Sequence, residues 1–186
     1  TSTLDASGEV TAVHEMGGVT FDRVEAAAAQ LTGEILQVPP MVSAVKVDGK
    51  RLHQLAREGV EVEREPRPVT IHRFTVTPTD DPTVVRAEVE CSSGTYVRTL
   101  AADLGTALGG GAHLRDLRRT AIGSFALADA VPLAEVSPEV VRSPAEALRD
   151  YATVVATDED AVAVGHGKVL PRDDRFAGGG PWAVQD

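Results

Sequence analysis

Two adjacent stretches in the middle of the chain have different hydrophobic periods. Between Val84 and Cys91, apolar and charged residues alternate, so that one side carries Val85, Ala87, Val89 and Cys91. This period of two predicts a half-buried strand. Apolar residues then recur at helical spacing, at Val97, Leu100, Ala101, Leu104 and Leu108. The Ser-Ser-Gly-Thr between them, residues 92–95, offers a turn and the hydroxyls with which helices begin. A strand, a turn and a helix are therefore expected in succession.

Weaker patterns predict elements before and after this unit. Residues 21–32 should form a helix with Thr20 as N-cap and Gly33 as stop, and a turn over residues 47–50 should lead into a short helix closed by Gly59.

Residues 69–76 resemble a strand whose apolar phase shifts between Ile71 and Phe74, which indicates a β-bulge. Further on, we expect a strand over residues 121–127 and a helix over residues 137–151, interrupted by two prolines.

Arg98 is unusual because it falls in the first turn of the central helix. A helix N-terminus carries unpaired N–H groups and the positive end of the macrodipole, so it favours acidic side chains. The helical positions that could pair with Arg98 hold Ala101 and Ala102. Its partner should therefore lie outside the helix, as a carboxylate or a phosphate that the guanidinium binds with two hydrogen bonds. The alternative is an arginine simply solvated at the surface.

The composition fits one domain, or one domain and part of another. Hydrophobic residues make up 42% of the 186, enough for a core. No apolar run approaches the length of a membrane span, and no apolar leader segment opens the chain. The single cysteine, Cys91, cannot form an internal disulfide and is expected to pack as a small core residue. These features predict a cytoplasmic protein.

The net charge of −10 argues against a protein that binds nucleic acid over its whole surface. The charges are unevenly distributed, however. Residues 41–73 carry seven basic side chains against five acidic ones and residues 111–120 carry three against one, whereas from residue 133 onward ten acidic side chains oppose five basic ones. An acidic protein with a basic groove is compatible with RNA binding, although solvated charged turns explain the same clusters.

Three other kinds of site fail on their sequence context. The glycines at 109–111 follow a helix and lack a subsequent Lys-Ser or Lys-Thr, so we interpret them as a helix stop and loop. A phosphate-binding metabolic enzyme therefore has weak support. Ser93, Asp103 and His113 have the residue types of a hydrolase triad, but no nucleophile elbow surrounds the serine. No cysteine and histidine spacing supports a zinc site.

Several motifs resemble, in the same order, those of the TruB family of transfer-RNA pseudouridine synthases. They are Pro-Pro-Met-Val-Ser-Ala-Val-Lys at 39–46 with Gly-Lys-Arg after it, Gly-Thr-Tyr-Val-Arg-Thr-Leu at 94–100, Asp-Leu-Gly at 103–105, Gly-Ala-His at 111–113 and Leu-Arg-Arg at 117–119. The resemblance runs from residue 1 to about residue 130. Several motifs in order are far more specific than any one of them.

Residues 1–8, Thr-Ser-Thr-Leu-Asp-Ala-Ser-Gly, resemble two acidic motifs of that family. The catalytic signature reads Gly-Thr-Leu-Asp-Pro-x-Ala-Ser/Thr-Gly, but two residues between its Asp and Ala are missing here. The second motif, Thr-x-Thr-x-Asp-Ala-x-Gly, matches without gaps. Asp5 also precedes Lys46 by only 41 positions, whereas the family's nucleophile lies considerably further upstream. We therefore interpret Asp5 as a secondary active-site aspartate, and we expect an excerpt that lacks the N-terminal part with the nucleophile.

The resemblance implies an α+β fold. Residues 1–132 would belong to the pseudouridine synthase catalytic domain, with a mixed or antiparallel sheet flanked by helices. Residues 133–151 would form a helical linker, and residues 152–186 the start of a small PUA-like β domain. The implied enzyme is an isomerase that detaches the T-loop uracil of tRNA, turns it and reattaches it through carbon five, with neither cofactor nor metal. The 186 residues alone are expected to be inactive, and a non-catalytic RNA-binding or RNA-folding module is the alternative.

The same resemblance implies the roles of individual residues. Arg98 would pair with the nucleophilic aspartate, because a carboxylate in a dry pocket stays ionised only beside a cation. Tyr96, Asp5 and Leu117 would surround the flipped base. The residues expected to bind RNA are Lys46, Lys50, Arg51, His113, Arg115, Arg118 and Arg119. The expected partner is the T-stem-loop of tRNA, bound by a monomer that uses no metal and no membrane.

Overall fold

The structure, a computed structural model, describes residues 1–47 and 49–185. The chain folds as two compact units, Thr1–Leu117 and Arg118–Asp186. The helices and strands of the first unit are α1 Phe21–Gln30, β1 Gly33–Gln37, β2 Lys46–Val47, β3 Lys50–Arg51, α2 Leu52–Arg57, β4 Arg67–Pro78, β5 Val85–Cys91 and α3 Val97–Ala107.

A three-stranded antiparallel sheet with the order β1-β4-β5 forms the centre of the first unit. The long strand β4 is in the middle. Strand β1 pairs with its first half, from Gln37 opposite Arg67 to Gly33 opposite Ile71, and β5 pairs mainly with its second half. Strands β2 and β3 form a separate small hairpin, and the turn predicted there includes Asp48, which lies outside the described residues.

Helix α3 is fixed to the sheet by two hydrophobic clusters. One cluster joins it to α1 and to the second half of β4, through Val24, Ala27, Ala28, Val76 and Leu104. The other joins it to the first half of β4, through Val69, Ile71 and Leu100. Leu100 and Leu104 lie one turn apart on the same helix face, and burying each contributes about 1.5–3 kcal/mol. This packing holds α3 on the sheet from Leu100 onward.

Several predicted elements are confirmed. Helix α1 begins after Thr20 and ends two residues before the predicted Thr32, and α2 and α3 lie where the helical spacing indicated them. The register of β4 against β5 shifts between Ile71 and Arg73, so the predicted bulge is present. Strand β1 was not predicted.

Two expectations about the strand, turn and helix around residues 84–108 are wrong in part. Val85 and Ala87 are exposed on β5, because this strand lies at the sheet edge and the hydrophobic clusters cover only its later residues. Cys91 is partly buried and packs against the second cluster, as predicted. The hydroxyls of residues 92–95 do not cap α3. The Ser92 hydroxyl accepts a hydrogen bond from the Thr70 N–H, and the Thr95 hydroxyl donates to the Ser92 carbonyl.

The second unit consists of short elements. They are β6 Ala121–Ile122, β7 Phe125–Ala126, three 3-10 turns at Leu127–Asp129, Leu133–Glu135 and Pro138–Val140, α4 Pro144–Ala147, β8 Ala152–Val155, α5 Asp158–Gly165 and β9 Trp182–Gln185. Strands β6 and β7 form a hairpin, and β8 and β9 pair in parallel.

Two expectations for the second unit need correction, and a third is untested. The strand predicted over residues 121–127 is a hairpin, because Gly123 turns the chain with φ 55°. The two prolines do not interrupt one long helix: Pro138 and Pro144 each begin a short helix, where the absent N–H costs nothing. Residues 152–186 contain the helix α5 between their two strands, capped by the Thr157 hydroxyl. The domain limits at 132 and 151 and the PUA-like assignment stay predictions.

Candidate active site

Asp5 lies in a tight loop that its own neighbours stabilise. Its Oδ1 atom accepts hydrogen bonds from the Thr3 hydroxyl at 2.6 Å, the Ser7 hydroxyl at 2.5 Å and the Ser7 N–H at 3.0 Å. Short-range bonds of this kind favour a turn over helix or strand. The Thr-x-Thr-x-Asp-Ala-x-Gly motif therefore folds into a loop that holds one carboxylate.

The same hydrogen bonds keep Asp5 ionised. The Ser7 hydroxyl and then the Thr3 hydroxyl lower the pKa of Asp5 most, the charge of Arg98 lowers it further, and burial opposes them. The resulting pKa is about 2, compared with the usual 3.8. At neutral pH this group is a fully charged acceptor.

Backbone pairing attaches the Asp5 loop to a second segment. The Ala6 N–H donates to the Leu114 carbonyl at 2.9 Å, and the Leu114 N–H donates to the Leu4 carbonyl at 3.0 Å. Leu4 adopts φ 61°, a left-handed conformation that costs a non-glycine residue about 1–2 kcal/mol. The neighbours of Leu114, His113 and Arg115, are thereby held next to the Asp5 loop.

Arg98 joins three segments of the first unit. Its Nη1 donates to Asp5 Oδ2 at 3.2 Å and to the Thr3 carbonyl at 3.0 Å, and its Nη2 donates to the Val42 carbonyl at 2.6 Å. The side chains of Arg98 and Asp5 are each 25% exposed, so solvent screens this pair less than it screens a surface ion pair. The prediction that Arg98 finds its partner outside its own helix is confirmed.

The helix that carries Arg98 begins in an unusual way. Its N-cap, Tyr96, has an extended backbone and makes no side-chain capping bond. The Tyr96 main chain is instead bound by Gln37 at the end of β1. The Gln37 Oε1 accepts from the Tyr96 N–H at 2.8 Å, and the Gln37 Nε2 donates to the Tyr96 carbonyl at 3.2 Å.

The four residues predicted to form the catalytic site are only partly brought together. Asp5 and Arg98 are in contact, and Tyr96 begins the helical turn on which Arg98 lies. Leu117 is 60% exposed. Within residues 1–47 and 49–185, the Tyr96 hydroxyl makes no hydrogen bond with Asp5 or Arg98.

The seven residues predicted to bind RNA are all exposed: Lys46, Lys50, Arg51, His113, Arg115, Arg118 and Arg119. Lys46, Lys50 and Arg51 lie on the β2–β3 hairpin, and the last two arginines begin the second unit. Lys50 lies 3.8 Å from Glu58, and Arg115 lies 2.9 Å from Asp116. Exposed pairs of this kind contribute at most about 1 kcal/mol, so these cations are available to another anion.

Four residues that build the site were missed from sequence. Thr3 and Ser7 stand two positions on either side of Asp5, a spacing at which side chains hydrogen-bond the local backbone and which could have identified them. Gln37 is 1% exposed, but no local signal identifies its partner 59 residues away. Val42 contributes only its carbonyl, for which no residue type is diagnostic.

The other acidic side chains form no second centre in the part of the chain that the structure describes. No three His, Cys, Asp or Glu residues there lie close enough together to hold a metal ion. Asp103 is half-buried on α3, and burial raises its pKa because the charged form is disfavoured. None of the described helices is long and apolar enough to cross a membrane.

Two family models and several curated proteins match this chain. A model of the "TruB family pseudouridylate synthase (N terminal domain)" matches residues 1–97, and one of the "tRNA pseudouridylate synthase B C-terminal domain" matches residues 98–156. The tRNA pseudouridine synthase B of Corynebacterium aurimucosum is 48% identical over 176 residues, covering 91% of this chain and 59% of its own. That of Symbiobacterium thermophilum is 50% identical over 172 residues, covering 90% and 57%.

A solved structure supports the fold independently. A chain in the crystal structure of a Cbf5-Nop10-Gar1 complex superimposes with a TM-score of 0.64 at 26% identity, over 83% of this chain and 46% of the other. The present chain therefore spans less than two thirds of the relatives that it matches. The α+β fold with antiparallel sheets and flanking helices is confirmed. From its motifs, its fold and these matches, the chain belongs to the TruB family of pseudouridylate synthases.

Proposed function

We propose that this chain is part of a tRNA pseudouridine synthase that converts the T-loop uridine of transfer RNA to pseudouridine. Its curated relatives carry the name tRNA pseudouridine synthase B. The observation that carries the proposal is the Arg98–Asp5 ion pair, in which two family motifs 93 residues apart meet. The reaction needs the uridine flipped out of its stack, an aspartate to act at the sugar and a cation to keep that aspartate charged.

Asp5 is proposed to orient Arg98 rather than to act as the nucleophile. Its Oδ1 accepts three hydrogen bonds and its Oδ2 accepts the ion pair, so the lone pairs are largely occupied. A carboxylate with a pKa of about 2 is also a weak base and correspondingly a weak nucleophile. The nucleophile is proposed to be the aspartate of the family's Gly-Thr-Leu-Asp-Pro motif, which does not occur in these 186 residues.

The hydrogen bonding of Arg98 is suited to a second carboxylate. A guanidinium has five N–H donors, and three bonds from Arg98 to described residues use two on Nη1 and one on Nη2. The two donors left over, on Nε and Nη2, belong to nitrogens that can bind one carboxylate in a bidentate pair. With Asp5 and two carbonyls fixing its far side, the guanidinium is preorganised for an incoming aspartate.

The remaining site residues are proposed to contact the RNA. Tyr96 and Leu117 would line the flipped base, and the exposed Leu117 side chain supports this role because a free apolar surface suits stacking against a base. Lys46, Lys50, Arg51, His113, Arg115, Arg118 and Arg119 would bind phosphates of the T-stem-loop, and their exposure supports it.

The organisation of the whole protein is also a proposal. We assign residues 1–132 to the catalytic domain, 133–151 to a linker and 152–186 to the beginning of a PUA-like domain. We also propose a monomer that acts in the cytoplasm without metal or cofactor, and the free thiol of Cys91 supports a reducing compartment.

Turnover by the full-length protein tests this function. Reattachment through carbon five displaces the hydrogen there, so tRNA labelled with tritium at uridine carbon five should release its label. We expect Arg98→Ala to lower this release by at least about 100-fold, because an aspartate without its cation loses charge. Folding should persist, as judged by circular dichroism.

Arg73→Ala is the matched control, because the ion pairs that Arg73 forms with described residues are to the exposed Glu88 and Glu90 on the sheet. It should retain wild-type turnover. Normal turnover in Arg98→Ala would contradict the proposed role of Arg98. A wild-type protein that binds the T-stem-loop but releases no tritium would favour the non-catalytic RNA-binding alternative.

A further inference from the structure

We infer that Gln37 is a positioning residue for catalysis, because its side-chain amide fixes the start of α3 and thereby the place of Arg98. This inference rests on the function proposed above. Gln37 lies on β1, away from the elements that carry Asp5 and Arg98, and among residues 1–47 and 49–185 its side-chain hydrogen bonds go to Tyr96.

The Gln37 side-chain amide binds the main chain of Tyr96 through two hydrogen bonds, much as a neighbouring β-strand would. It is 1% exposed, and both its acceptor and its donor bind the main chain of one residue, Tyr96. A buried amide bound in this bidentate way has little freedom to move, and its loss would leave the partly buried Tyr96 N–H without this partner. Strand β1, paired along its whole length with β4, holds Gln37 in place.

The start of α3 needs this support because the residues at its N-terminus do not stabilise it. Tyr96 provides no side-chain cap, the first turn contains no acidic residue, and it contains the cation Arg98. A positive charge near a helix N-terminus is unfavourable because it meets the positive end of the macrodipole. The missing side-chain cap leaves the first N–H groups of the helix less well satisfied. Without Gln37, the first turn of α3 would fray.

Fraying would move Arg98 out of its contacts. Arg98 follows Tyr96 by two positions, and its three hydrogen bonds span only 2.6–3.2 Å. A displacement of about 1 Å takes such bonds beyond the useful range. Leu100 and Leu104 are buried further along, so the rest of the helix would stay in place while its first turn shifted.

Gln37→Met in the full-length protein tests the inference, because it keeps the volume of the side chain but removes both hydrogen bonds. We expect kcat for tritium release to fall by about 10- to 100-fold, as for a misplaced catalytic group, with KM changed by less than about threefold. Gln30→Met, at an exposed position of α1, should leave both constants unchanged. Val76→Ala leaves a cavity in the cluster formed with α1 and Leu104, so it should lower the melting temperature without lowering kcat.

A double-mutant cycle separates positioning from general stability. If Gln37 acts through Arg98, then Gln37→Met should cost nothing further in kcat once Arg98→Ala is present. Additive losses, or a Gln37→Met variant that matches Val76→Ala in both melting temperature and kcat, would overturn the inference.

Should Gln37→Met fail to fold, Gln37→Asn serves instead, because it retains the amide but withdraws it by one methylene. A wild-type protein without turnover would overturn the proposed function and this inference with it, whereas an active wild type with an unaffected kcat in the Gln37 variants overturns this inference alone.

Discussion

Gly8→Ala tests whether the loop around Asp5, and not Asp5 alone, determines the geometry of the site. A β-carbon at residue 8 would overlap Thr3 Oγ1 and would lie 2.6 Å from the Thr3 main-chain nitrogen. The hydroxyl can rotate away, but the nitrogen cannot move without the backbone. Since ordinary contact begins at 3.4 Å, the Thr3 main chain must shift by about 0.8 Å. The obstacle is purely steric.

Thr3 transmits that shift to both charged groups. Its hydroxyl donates to Asp5 at 2.6 Å, and its carbonyl accepts from Arg98 at 3.0 Å. The displacement takes the second bond beyond hydrogen-bonding range. Overpacking of this size costs about 1–3 kcal/mol, and a hydrogen bond to a charged group is worth about 1.5–3 kcal/mol. We expect the free energy of unfolding to fall by about 2.5–6 kcal/mol, the sum of the two effects, and turnover to fall about 100-fold.

The assay combines denaturant unfolding with tritium release from labelled tRNA, both on the full-length protein. Gly18→Ala is the matched control, because a β-carbon there has no neighbour within 4 Å. It should leave both the unfolding midpoint and turnover unchanged. A Gly8→Ala protein with the midpoint and turnover of the wild type would refute the coupling of the loop to Arg98.

Two further outcomes concern acid and packing. Above pH 3.8 the ionised Asp5 stabilises the fold in full, and because its folded pKa is about 2 this contribution is lost as the pH falls through that value. The difference in melting temperature between wild type and Asp5→Asn should therefore shrink between about pH 4 and pH 2, and a difference independent of pH would contradict the shift. Gly105→Ala would push a methyl group into the Ala112 amide nitrogen, whereas the methyl group of Gly17→Ala meets nothing within 4 Å. Calorimetry should therefore show a clearly lower melting temperature for Gly105→Ala than for Gly17→Ala. Equal melting of the two variants would exclude this close approach.

The elements predicted correctly are those whose signals are local. Helix α3 is identified by its own apolar spacing, and the bulge in β4 by a change of phase within four residues. Strand β1 is five residues long, and what makes it a strand is its pairing with the first half of β4. No periodicity within those five residues carries that information, because the partner residues lie at least thirty positions further along. The burial of β5 was overestimated for a similar reason, since which helix covers which strand residue is decided by tertiary packing.

The candidate site divides in the same way. Asp5 and Arg98 could be selected from sequence because each belongs to a motif and because Arg98 violates a local rule. Thr3 and Ser7 could also have been predicted, because each stands two positions from Asp5, where hydroxyl side chains commonly stabilise turns. Gln37 and the Val42 carbonyl were not, because one binds main-chain groups and the other is itself a main-chain group, and such contacts place little demand on neighbouring residue types.

The position of Arg98 illustrates why a local rule is broken at a site. In the first turn of α3 its charge is unfavourable, and the helix has neither a cap nor an acid to offset it. The compensation comes from three other segments: Gln37 binds the helix start, Asp5 supplies the charge, and the carbonyls of Thr3 and Val42 take two more donors. Every compensating contact lies more than fifty positions from Arg98 in sequence. The first unit must therefore fold before the guanidinium acquires its direction. Substitutions that loosen any one of these segments should thus reduce catalysis through the same residue.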